Sequence, residues 1–371
     1  MRIRPSRRVF AGVVALVAVA VYANSLANGF AYDDVAIIHD DVRMHGLGHL
    51  ISIFTQPYWA DYGKELGLYR PFTTLGFALQ WTLGGGAPWL FHLGNLALHA
   101  AVCVLLFLLL ARLAGSAGAF VGSLVFAAHP LHTEAVSNVV GQAELLAALG
   151  VLAAGWLWLR RGRDEAPTAR TIAAVAVAYA VGLFSKESAI VAPALLVALD
   201  FADRRIQLSR AGLRAYVRSV APLMAVLVGV AALYLGARYL VIGSLGGGEV
   251  APSMPFLARD HFWMGLRTWP EYARLLIFPQ DLSADYSPGV ILPVHGWTPE
   301  TLLGAGLLLG IVALAALTPW RPRIGLPAAW FLLSVLIVSN LFFPIGVILA
   351  ERTLYLPSVA LAIALPIVMT R

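Results

Sequence analysis

Two adjacent carboxylates, Asp33 and Asp34, follow the first long apolar run of the chain by a few residues. Two neighbouring acids at a membrane surface repel each other in a medium of lowered dielectric constant, which raises one of the two pKa values. A carboxylate tuned in this way can serve as a general base. The alternative is a pair of solvated loop acids that cap a short helix, and the spacing alone leaves both interpretations open.

A second group of polar residues is the string His129-Pro130-Leu131-His132-Thr133-Glu134. Two imidazoles and a carboxylate suggest a metal site, but the spacing is not that of the helical His-Glu-x-x-His zinc motif. We therefore predict polar or catalytic roles without a metal for His129, His132 and Glu134. A structural role as histidines of the membrane interface stays open, and a divalent metal held by the Asp and His clusters together is the less favoured alternative.

Three further polar residues, His92, Asn95 and His99, fall within an apolar run. Offsets of three and seven residues place them on one helical face. Polar residues inside a membrane usually face a cavity or another helix, so His92 and His99 are predicted to support a binding site. Hydrogen bonding between helices is the alternative.

Basic residues interrupt the apolar pattern at Arg70 and in the pairs Lys186-Glu187 and Glu351-Arg352. Together they place several cations on the same predicted side as the Asp pair. A substrate that carries a phosphate suits such an arrangement, because arginine binds phosphate through two parallel hydrogen bonds. Arg70, Lys186 and Arg352 are the predicted phosphate ligands, whereas isolated ion pairs at a surface would contribute little.

The composition fixes the class of protein. Apolar residues make up 60% of the 371 residues and charged residues 12%, with a mean hydropathy of +0.79. One water-facing core of this size cannot bury so many apolar side chains, so lipid must cover the rest. The net charge of +6 is spread over short loops instead of being clustered with aromatic residues on one polar face, which argues against nucleic-acid binding. We predict an all-α polytopic membrane protein.

Ten apolar stretches are candidate transmembrane spans. They lie at 9–27, 89–112, 118–136, 143–159, 171–184, 188–202, 217–241, 301–318, 326–343 and 354–370. The first follows a basic N-terminus, but it is nearly long enough to span and ends in a poor cleavage site, so we interpret it as a span and not as a signal peptide.

The basic residues predict the orientation of these spans. With the N-terminus in the cytoplasm, 17 basic residues fall inside and 8 outside, and the dense clusters are all inside. Two large loops, 28–88 and 241–300, then face out, and 254–278 must lie at the interface instead of crossing it. The scarcity of lysine, with only two in the chain, favours a bacterial cell membrane, and the endoplasmic reticulum is the alternative for a eukaryotic chain.

The two predicted outer loops also carry segments expected to lie along the membrane surface, and a further acid. The amphipathic stretches 47–55 and 69–83 are rich in aromatic residues and leucine, which is typical of helices that lie along a membrane surface. Asp285, in the second outer loop, is an additional and less distinctive acid on the same side.

Taken together, these residues resemble the family of transmembrane-and-TPR-containing O-mannosyltransferases. The matching strings are Tyr32-Asp33-Asp34, Tyr69-Arg70-Pro71, Phe91-His92 with Asn95 and His99, Ala128 to Val136, Gly141-Gln142-Ala143-Glu144, Ser185-Lys186-Glu187, Asp285-Tyr286-Ser287 and Ala350-Glu351-Arg352 through Ser358. They occur in family order over nearly the whole chain. In two respects the chain departs from the family. Its 371 residues contain no tetratricopeptide repeat, so it is expected to be either a short relative or a fragment, and Gln142 stands where the family tends to have arginine.

The resemblance implies a single GT-C glycosyltransferase domain over 1–371, with extracytoplasmic loops that bear interfacial helices. Enzymes of this kind transfer a sugar from a polyprenyl-phosphate carrier to an acceptor outside the cytoplasm, with inversion and without a cofactor. Carried over by position, Asp33 is the base, and Asp34 assists it or contacts the acceptor. His92, His99, His129, His132, Glu134, Glu187, Glu351 and Asp285 are expected to bind substrate or to support the site.

The expected function is therefore the transfer of mannose to serine or threonine hydroxyls of a protein. The sequence leaves two alternatives open. One is a transferase that modifies a glycolipid or cell-envelope polysaccharide, and the other is a transporter or flippase whose intramembrane histidines and acids line a path. Paired half-repeats with broken helices, which transporters often show, are not apparent in this sequence.

Overall fold

The computed structural model describes residues 6–59, 67–162, 165–204, 206–245 and 254–369, and within these ranges all regular structure is helical. Parts of the two predicted outer loops, at 60–66 and 246–253, lie outside the described residues. So do six of the basic residues used to predict orientation, namely Arg2, Arg4, Lys64, Arg163, Arg205 and Arg371.

Thirteen α-helices follow one another along the described parts of the chain. They are α1 (Arg7–Tyr22), α2 (Leu50–Thr55), α3 (Pro71–Gly84), α4 (Pro88–Ala127), α5 (Thr133–Ser137), α6 (Gln142–Arg160), α7 (Ala169–Ser185), α8 (Ala192–Asp203), α9 (Arg210–Ile242), α10 (Pro255–Ile277), α11 (Pro299–Ala316), α12 (Pro322–Leu336) and α13 (Val359–Met369). Short 3₁₀ or π turns occupy Ala23–Ala27, Val35–His39, Val42–Met44, Leu47–His49, Pro130–His132, Val139–Gly141, Glu187–Val191 and Glu351–Leu354.

Within the described residues, five helices are both long and apolar enough to cross a membrane: those at α1, α4, α6, α9 and α11. Two more, α7 and α12, are apolar but shorter. The prediction of an all-α protein with several membrane helices is therefore confirmed. The count of ten spans and the GT-C fold stay predictions.

The long helix α4 contains a break that the sequence analysis treated as a loop between two spans. Gly115 has a φ of 79°, a left-handed conformation that glycine adopts without the cost of a Cβ clash. The second half of α4 ends at Ala127 and not near residue 136, because Pro130 cannot continue the helical hydrogen bonding of the preceding turn. The turn at Pro130–His132 and the short helix α5 follow, and together they carry the predicted His and Glu residues.

A turn built on Asn340 follows α12 and replaces the helix predicted up to residue 343. Asn340 has a φ of 58°. Its side-chain amide donates to the carbonyl groups of Val347 (2.9 Å) and Ile348 (3.1 Å), and its carbonyl oxygen accepts the N–H of Ile345 at 2.9 Å. One asparagine therefore folds 340–348 into a compact segment between α12 and the turn that precedes α13.

The first outer loop is held by a buried ion pair between Arg43 and Asp41. The Arg43 guanidinium contacts both carboxylate oxygens of Asp41, with Nη2 at 2.6 Å from Oδ2. It also donates to the carbonyl groups of Pro57 (2.8 Å) and Tyr58 (3.2 Å), and the Tyr58 N–H donates to the carbonyl of Leu68 at 2.8 Å. These contacts hold the backbone of Tyr58 in place through both its carbonyl group and its N–H group.

Helix α10 supports the prediction that 254–278 does not cross the membrane. It packs against α11 and buries Met264, Trp269 and Leu276. It also carries five charged residues, Arg259, Asp260, Arg267, Glu271 and Arg274. It is not one of the five described helices with the length and hydropathy of a span.

Helices α6 and α7 pack closely because glycines face each other where they cross. A Cβ atom built on Gly150 would lie 2.6 Å from the carbonyl oxygen of Ala178 and 2.6 Å from the Cα atom of Gly182. Small residues at such crossings allow the backbones to approach, which is how membrane helices gain packing energy.

We predict that Gly150→Ala lowers the stability of the protein in detergent, because the added methyl group must push the α7 backbone away. Overpacking costs about 1–3 kcal/mol, against a gain of about 1 kcal/mol in helix propensity. The matched control is Gly229→Ala in α9, where a Cβ atom meets nothing within 4 Å. Thermal unfolding should show a lower midpoint for the first variant and an unchanged or higher midpoint for the second, and equal midpoints would contradict the packing account.

Candidate active site

A cavity of 680 Å³ lies beside the start of the first outer loop and brings together residues from widely separated parts of the sequence. Five of the predicted site residues line it: Asp33, Arg70, Lys186, Glu187 and Arg352. The same cavity is also lined by apolar residues of α9, of the segments that follow α9 and α12, and of the segment that Asn340 organises, including Leu235, Leu245, Ile337, Val338, Phe343 and Val347. Its wall thus combines charged side chains with apolar ones.

Asp33 and Arg352 face each other across a short gap in this cavity. The Nη2 atom of Arg352 lies 3.6 Å from Oδ2 of Asp33, and 36% of the Asp33 side chain is exposed. Glu134 holds Arg352 in place, since its carboxylate accepts both the backbone N–H (2.8 Å) and Nη1 (2.6 Å) of the arginine. Asp33 is therefore an accessible carboxylate next to a fixed cation.

Asp34 points away from the cavity and anchors the loop. Its carboxylate accepts the backbone N–H groups of Ala31 (3.2 Å), Val139 (3.4 Å) and Val140 (2.9 Å), and it is almost fully buried. Burial raises the pKa of Asp34 to about 6, although the N–H donors from Val140, Ala31 and Val139 oppose the shift. The structure thus gives the two adjacent acids different surroundings, with Asp33 exposed to the cavity and Asp34 fixing the backbone behind it.

Arg70, at the N-terminal end of α3, is paired with Glu187 from the turn after α7. The pair is bidentate, with Nε 3.0 Å from Oε2 and Nη2 2.6 Å from Oε1. Burial raises the pKa of the Glu187 carboxyl, but the charge and hydrogen bonds of Arg70 outweigh burial and lower it below its usual range. Both groups are therefore charged, and the Arg70 fork is fixed in one orientation.

Lys186 is paired with Glu144 at the start of α6, and both side chains are buried. Burial lowers the pKa of Lys186, and the charge of Glu144 opposes this shift. Glu144 was not among the predicted site residues, although it lies in one of the strings that carry the family resemblance. A lysine at the end of an apolar run requires a carboxylate partner, but nothing in the sequence indicates which of the many acids supplies it.

The other predicted acids lie outside the cavity. Glu351 accepts the backbone N–H of Ser283 (2.6 Å) and the hydroxyl of Tyr286 (2.7 Å), and it thereby ties the second outer loop to the turn that carries Arg352. Burial raises the pKa of Glu351. Asp285 is exposed, and its backbone accepts a hydrogen bond from the hydroxyl of Ser283 at 2.7 Å.

None of the four predicted histidines lines the cavity. His99 contacts the hydroxyl of Tyr355 (2.7 Å), and His132 contacts the hydroxyl of Ser358 (2.8 Å). His129 contacts the carbonyl of Leu276 at 3.1 Å, and His92 is buried beside the first outer loop. The histidines therefore pack the layer behind the site, and two of them hold the segment that follows Arg352.

Several residues that line the cavity were not predicted from the sequence. They are Tyr58, Trp59, Tyr234, Arg238, Glu144 and the segment 343–347. They belong to loops and helices far apart in the chain, and their local patterns carry no signal of a binding site. Among the described residues no three His, Cys, Asp or Glu side chains are grouped closely enough to hold a metal ion.

The fold and the cavity define a class of protein: a polytopic membrane protein with a pocket that charged and apolar side chains line together. No protein-family model and no solved structure matches the chain. Sequence comparison finds mouse "Protein O-mannosyl-transferase TMTC3" at 30% identity over 95% of this chain, the human protein of that name at 28% over 94%, and mouse "Protein O-mannosyl-transferase TMTC4" at 27% over 95%.

The chain is accordingly a relative of the TMTC-type protein O-mannosyltransferases over more than nine-tenths of its length, and the resemblance predicted from its motifs is confirmed. It spans about two-fifths of the length of the TMTC3 proteins and 54% of TMTC4.

We predict that Glu144→Gln destabilises the protein, because it leaves the buried Lys186 cation without its partner. Breaking a buried pair in this way costs about 3–5 kcal/mol. The double variant Glu144→Gln with Lys186→Met removes both charges and should recover most of the loss. Thermal unfolding of the two variants checks this, and a double variant no more stable than the single one would contradict the pairing.

The anchored acid Asp34 predicts a pH dependence of stability. Its folded pKa of about 6 lies above the ordinary value of 3.8, so the folded chain binds the proton more tightly than the unfolded chain. The contribution of this group to stability is full below about pH 4 and is lost as the pH rises through 6. The free energy of unfolding of wild type, relative to Asp34→Asn, should fall by up to about 3 kcal/mol between pH 4 and pH 7. A difference that stays flat or rises with pH would refute this assignment.

Proposed function

We propose that this protein is an inverting glycosyltransferase that moves mannose from a polyprenyl-phosphate carrier to serine or threonine hydroxyls of a protein outside the cytoplasm. The observation that carries the proposal is the cavity, which an accessible carboxylate, Asp33, lines together with the cations Arg70, Lys186 and Arg352 and with apolar side chains. The names of the relatives, all of which are protein O-mannosyltransferases, support the reaction and the acceptor class.

The mixed lining of the cavity suits the two parts of a lipid-linked sugar donor. An apolar surface for the first units of a polyprenyl chain is offered by Leu235, Ile337, Val338 and residues of 343–347. The phosphate that joins lipid and sugar can be bound by Arg70, Lys186 and Arg352.

The charge of the cavity wall fits one phosphodiester. Among the described lining residues there are four cations, Arg70, Lys186, Arg238 and Arg352, and three acids, Asp33, Glu144 and Glu187. A single positive charge is left in excess, and the phosphodiester of a polyprenyl-phosphate sugar carries a single negative charge. As the sugar leaves, the phosphate gains a second charge, which the fixed cations stabilise without having to reorganise.

Asp33 is the proposed base. The acceptor oxygen forms a bond to the anomeric carbon while the bond from that carbon to the phosphate oxygen breaks, and the leaving phosphate keeps the electron pair. The proton of the acceptor hydroxyl passes to the Asp33 carboxylate. One displacement of this kind inverts the anomeric centre, and it needs one carboxylate where a glycosidase needs two.

Other carboxylates support the site without touching the reacting groups. Asp34 fixes the loop that carries Asp33, and Glu134, Glu144 and Glu187 each hold one cation in place. We place the site on the extracytoplasmic side on the strength of the basic-residue count. The compartment is the cell membrane of a bacterium, as the composition favours, or the endoplasmic reticulum if the chain is eukaryotic like its relatives from animals.

We predict that Asp33→Asn reduces transfer by at least about 100-fold, because general-base catalysis contributes 10²–10⁴ in rate. The purified protein would be given radiolabelled polyprenyl-phosphate mannose and a serine- and threonine-containing peptide. The matched control is Asp40→Asn, which changes an exposed acid of the same loop that does not line the cavity. Transfer that survives Asp33→Asn would overturn the assignment of the base.

The same assay tests the acceptor and the class of protein. Labelled peptide supports the proposal, and label that appears only in a glycolipid would move the acceptor to the cell envelope. The absence of transfer to either acceptor, together with movement of the lipid-linked sugar across a vesicle membrane, would favour a flippase.

A further inference from the structure

The hydroxyl of Tyr58 is a buried polar group without a partner in the cavity wall. The residue is 3% exposed, and its hydroxyl oxygen has no hydrogen-bond partner among the described residues. Buried hydroxyl groups are rarely left unpaired in proteins, because each has given up its hydrogen bonds to water. A phenylalanine would fill the same space without that cost, so the hydroxyl group calls for an explanation.

The structure holds this hydroxyl in a fixed place. Arg43, itself paired with Asp41, binds the Pro57 and Tyr58 carbonyl groups, and the Tyr58 N–H is bound by Leu68. The ring packs in a small apolar cluster with Ile37 and Val140, among other residues. A side chain restrained in this way loses little freedom when its hydroxyl binds a ligand.

Tyr58 lies among charged residues of the cavity wall. The guanidinium carbon of Arg70 lies 5.2 Å from the centre of the ring, and Asp33 and Arg352 lie close enough for their charges to act on the hydroxyl. Burial raises the pKa of Tyr58, so the phenol is protonated at neutral pH and can donate a hydrogen bond. Arg70 and Arg352 each have a carboxylate partner. The phenol is a neutral donor, and its hydroxyl has no hydrogen-bond acceptor among the described residues.

We propose that the Tyr58 hydroxyl donates a hydrogen bond to a phosphate oxygen of the lipid-linked donor and thus belongs to the phosphate-binding site together with Arg70. The assignment rests on the proposed function for the nature of the donor. It adds a ligand that no charge pattern in the sequence indicates. A neutral donor is suited to this place, because it binds the phosphate without taking part in the ion pairs that fix the cations.

The test compares Tyr58→Phe with Tyr179→Phe in the full-length protein. Tyr179 in α7 is also buried with an unpaired hydroxyl, but it does not line the cavity. Binding of polyprenyl phosphate and of uncharged polyprenol would be measured for wild type and both variants. Tyr58→Phe should weaken polyprenyl phosphate binding about tenfold, as expected for loss of a hydrogen bond to a charged group, and should leave polyprenol binding unchanged. Tyr179→Phe should change neither.

Each outcome bears on the proposal. Equal binding of polyprenyl phosphate by wild type and Tyr58→Phe overturns the role of the hydroxyl and leaves the proposed function intact. Weakened binding of both lipids overturns it in favour of a structural role. Failure of wild type to bind polyprenyl phosphate at all overturns the proposed donor, and this assignment with it. A titration with inorganic phosphate completes the test. Free phosphate bound as tightly as polyprenyl phosphate would overturn the proposal that the phosphate belongs to a lipid-linked donor.

A control for folding accompanies these measurements. The substitution removes an unpaired buried hydroxyl and keeps the ring over Arg70, so Tyr58→Phe should unfold at the same temperature as wild type or a higher one. A lower unfolding temperature would mean that the hydroxyl has a partner in the protein itself, which contradicts the proposal.

Discussion

The cavity depends on one constraint, namely that each of its three predicted phosphate-binding cations is fixed by a carboxylate from another part of the chain. Glu187 orients Arg70, and Glu144 pairs with Lys186. The Glu134 carboxylate accepts hydrogen bonds from both the backbone N–H and the guanidinium of Arg352. Cations buried near a membrane without partners would be too costly to maintain. The pairing lets the protein keep several positive charges in a cavity that apolar side chains also line, which is the combination that the proposed lipid-linked donor would require.

Much of this arrangement could be predicted from the sequence, because the rules involved are local. Acids and bases that interrupt apolar runs are expensive, so Asp33, Arg70, Lys186 and Arg352 were identifiable as functional candidates. The helical character followed from hydropathy, whereas the outer position of 254–278, which rests on the count of basic residues, stays a prediction. The orientations of Asp33 and Asp34 could not be predicted, because two of the three backbone amides that bind Asp34, those of Val139 and Val140, come from more than a hundred positions away.

The histidines show what a local pattern does not specify. Four of them were predicted to support the site, and the structure places all four in the packing behind it, where two hold Tyr355 and Ser358. A polar residue on an apolar helix indicates a partner but does not say whether the partner is a substrate or a neighbouring helix. Conversely, Tyr58 and the segment organised by Asn340 have no distinctive pattern, and only the tertiary structure brings them to the cavity.

The bond between Glu134 and Arg352 has a consequence for the synthesis of the protein. The two residues are 218 positions apart, and the partners Arg70 and Glu187 are 117 apart. Since a membrane protein of this kind is inserted from its N-terminus onward, Asp33 is in place long before Arg352 is. The cavity that both residues line is complete only when the chain has been inserted as far as Arg352. A partly inserted chain thus carries the Asp33 carboxylate without the Arg352 cation that faces it in the folded protein.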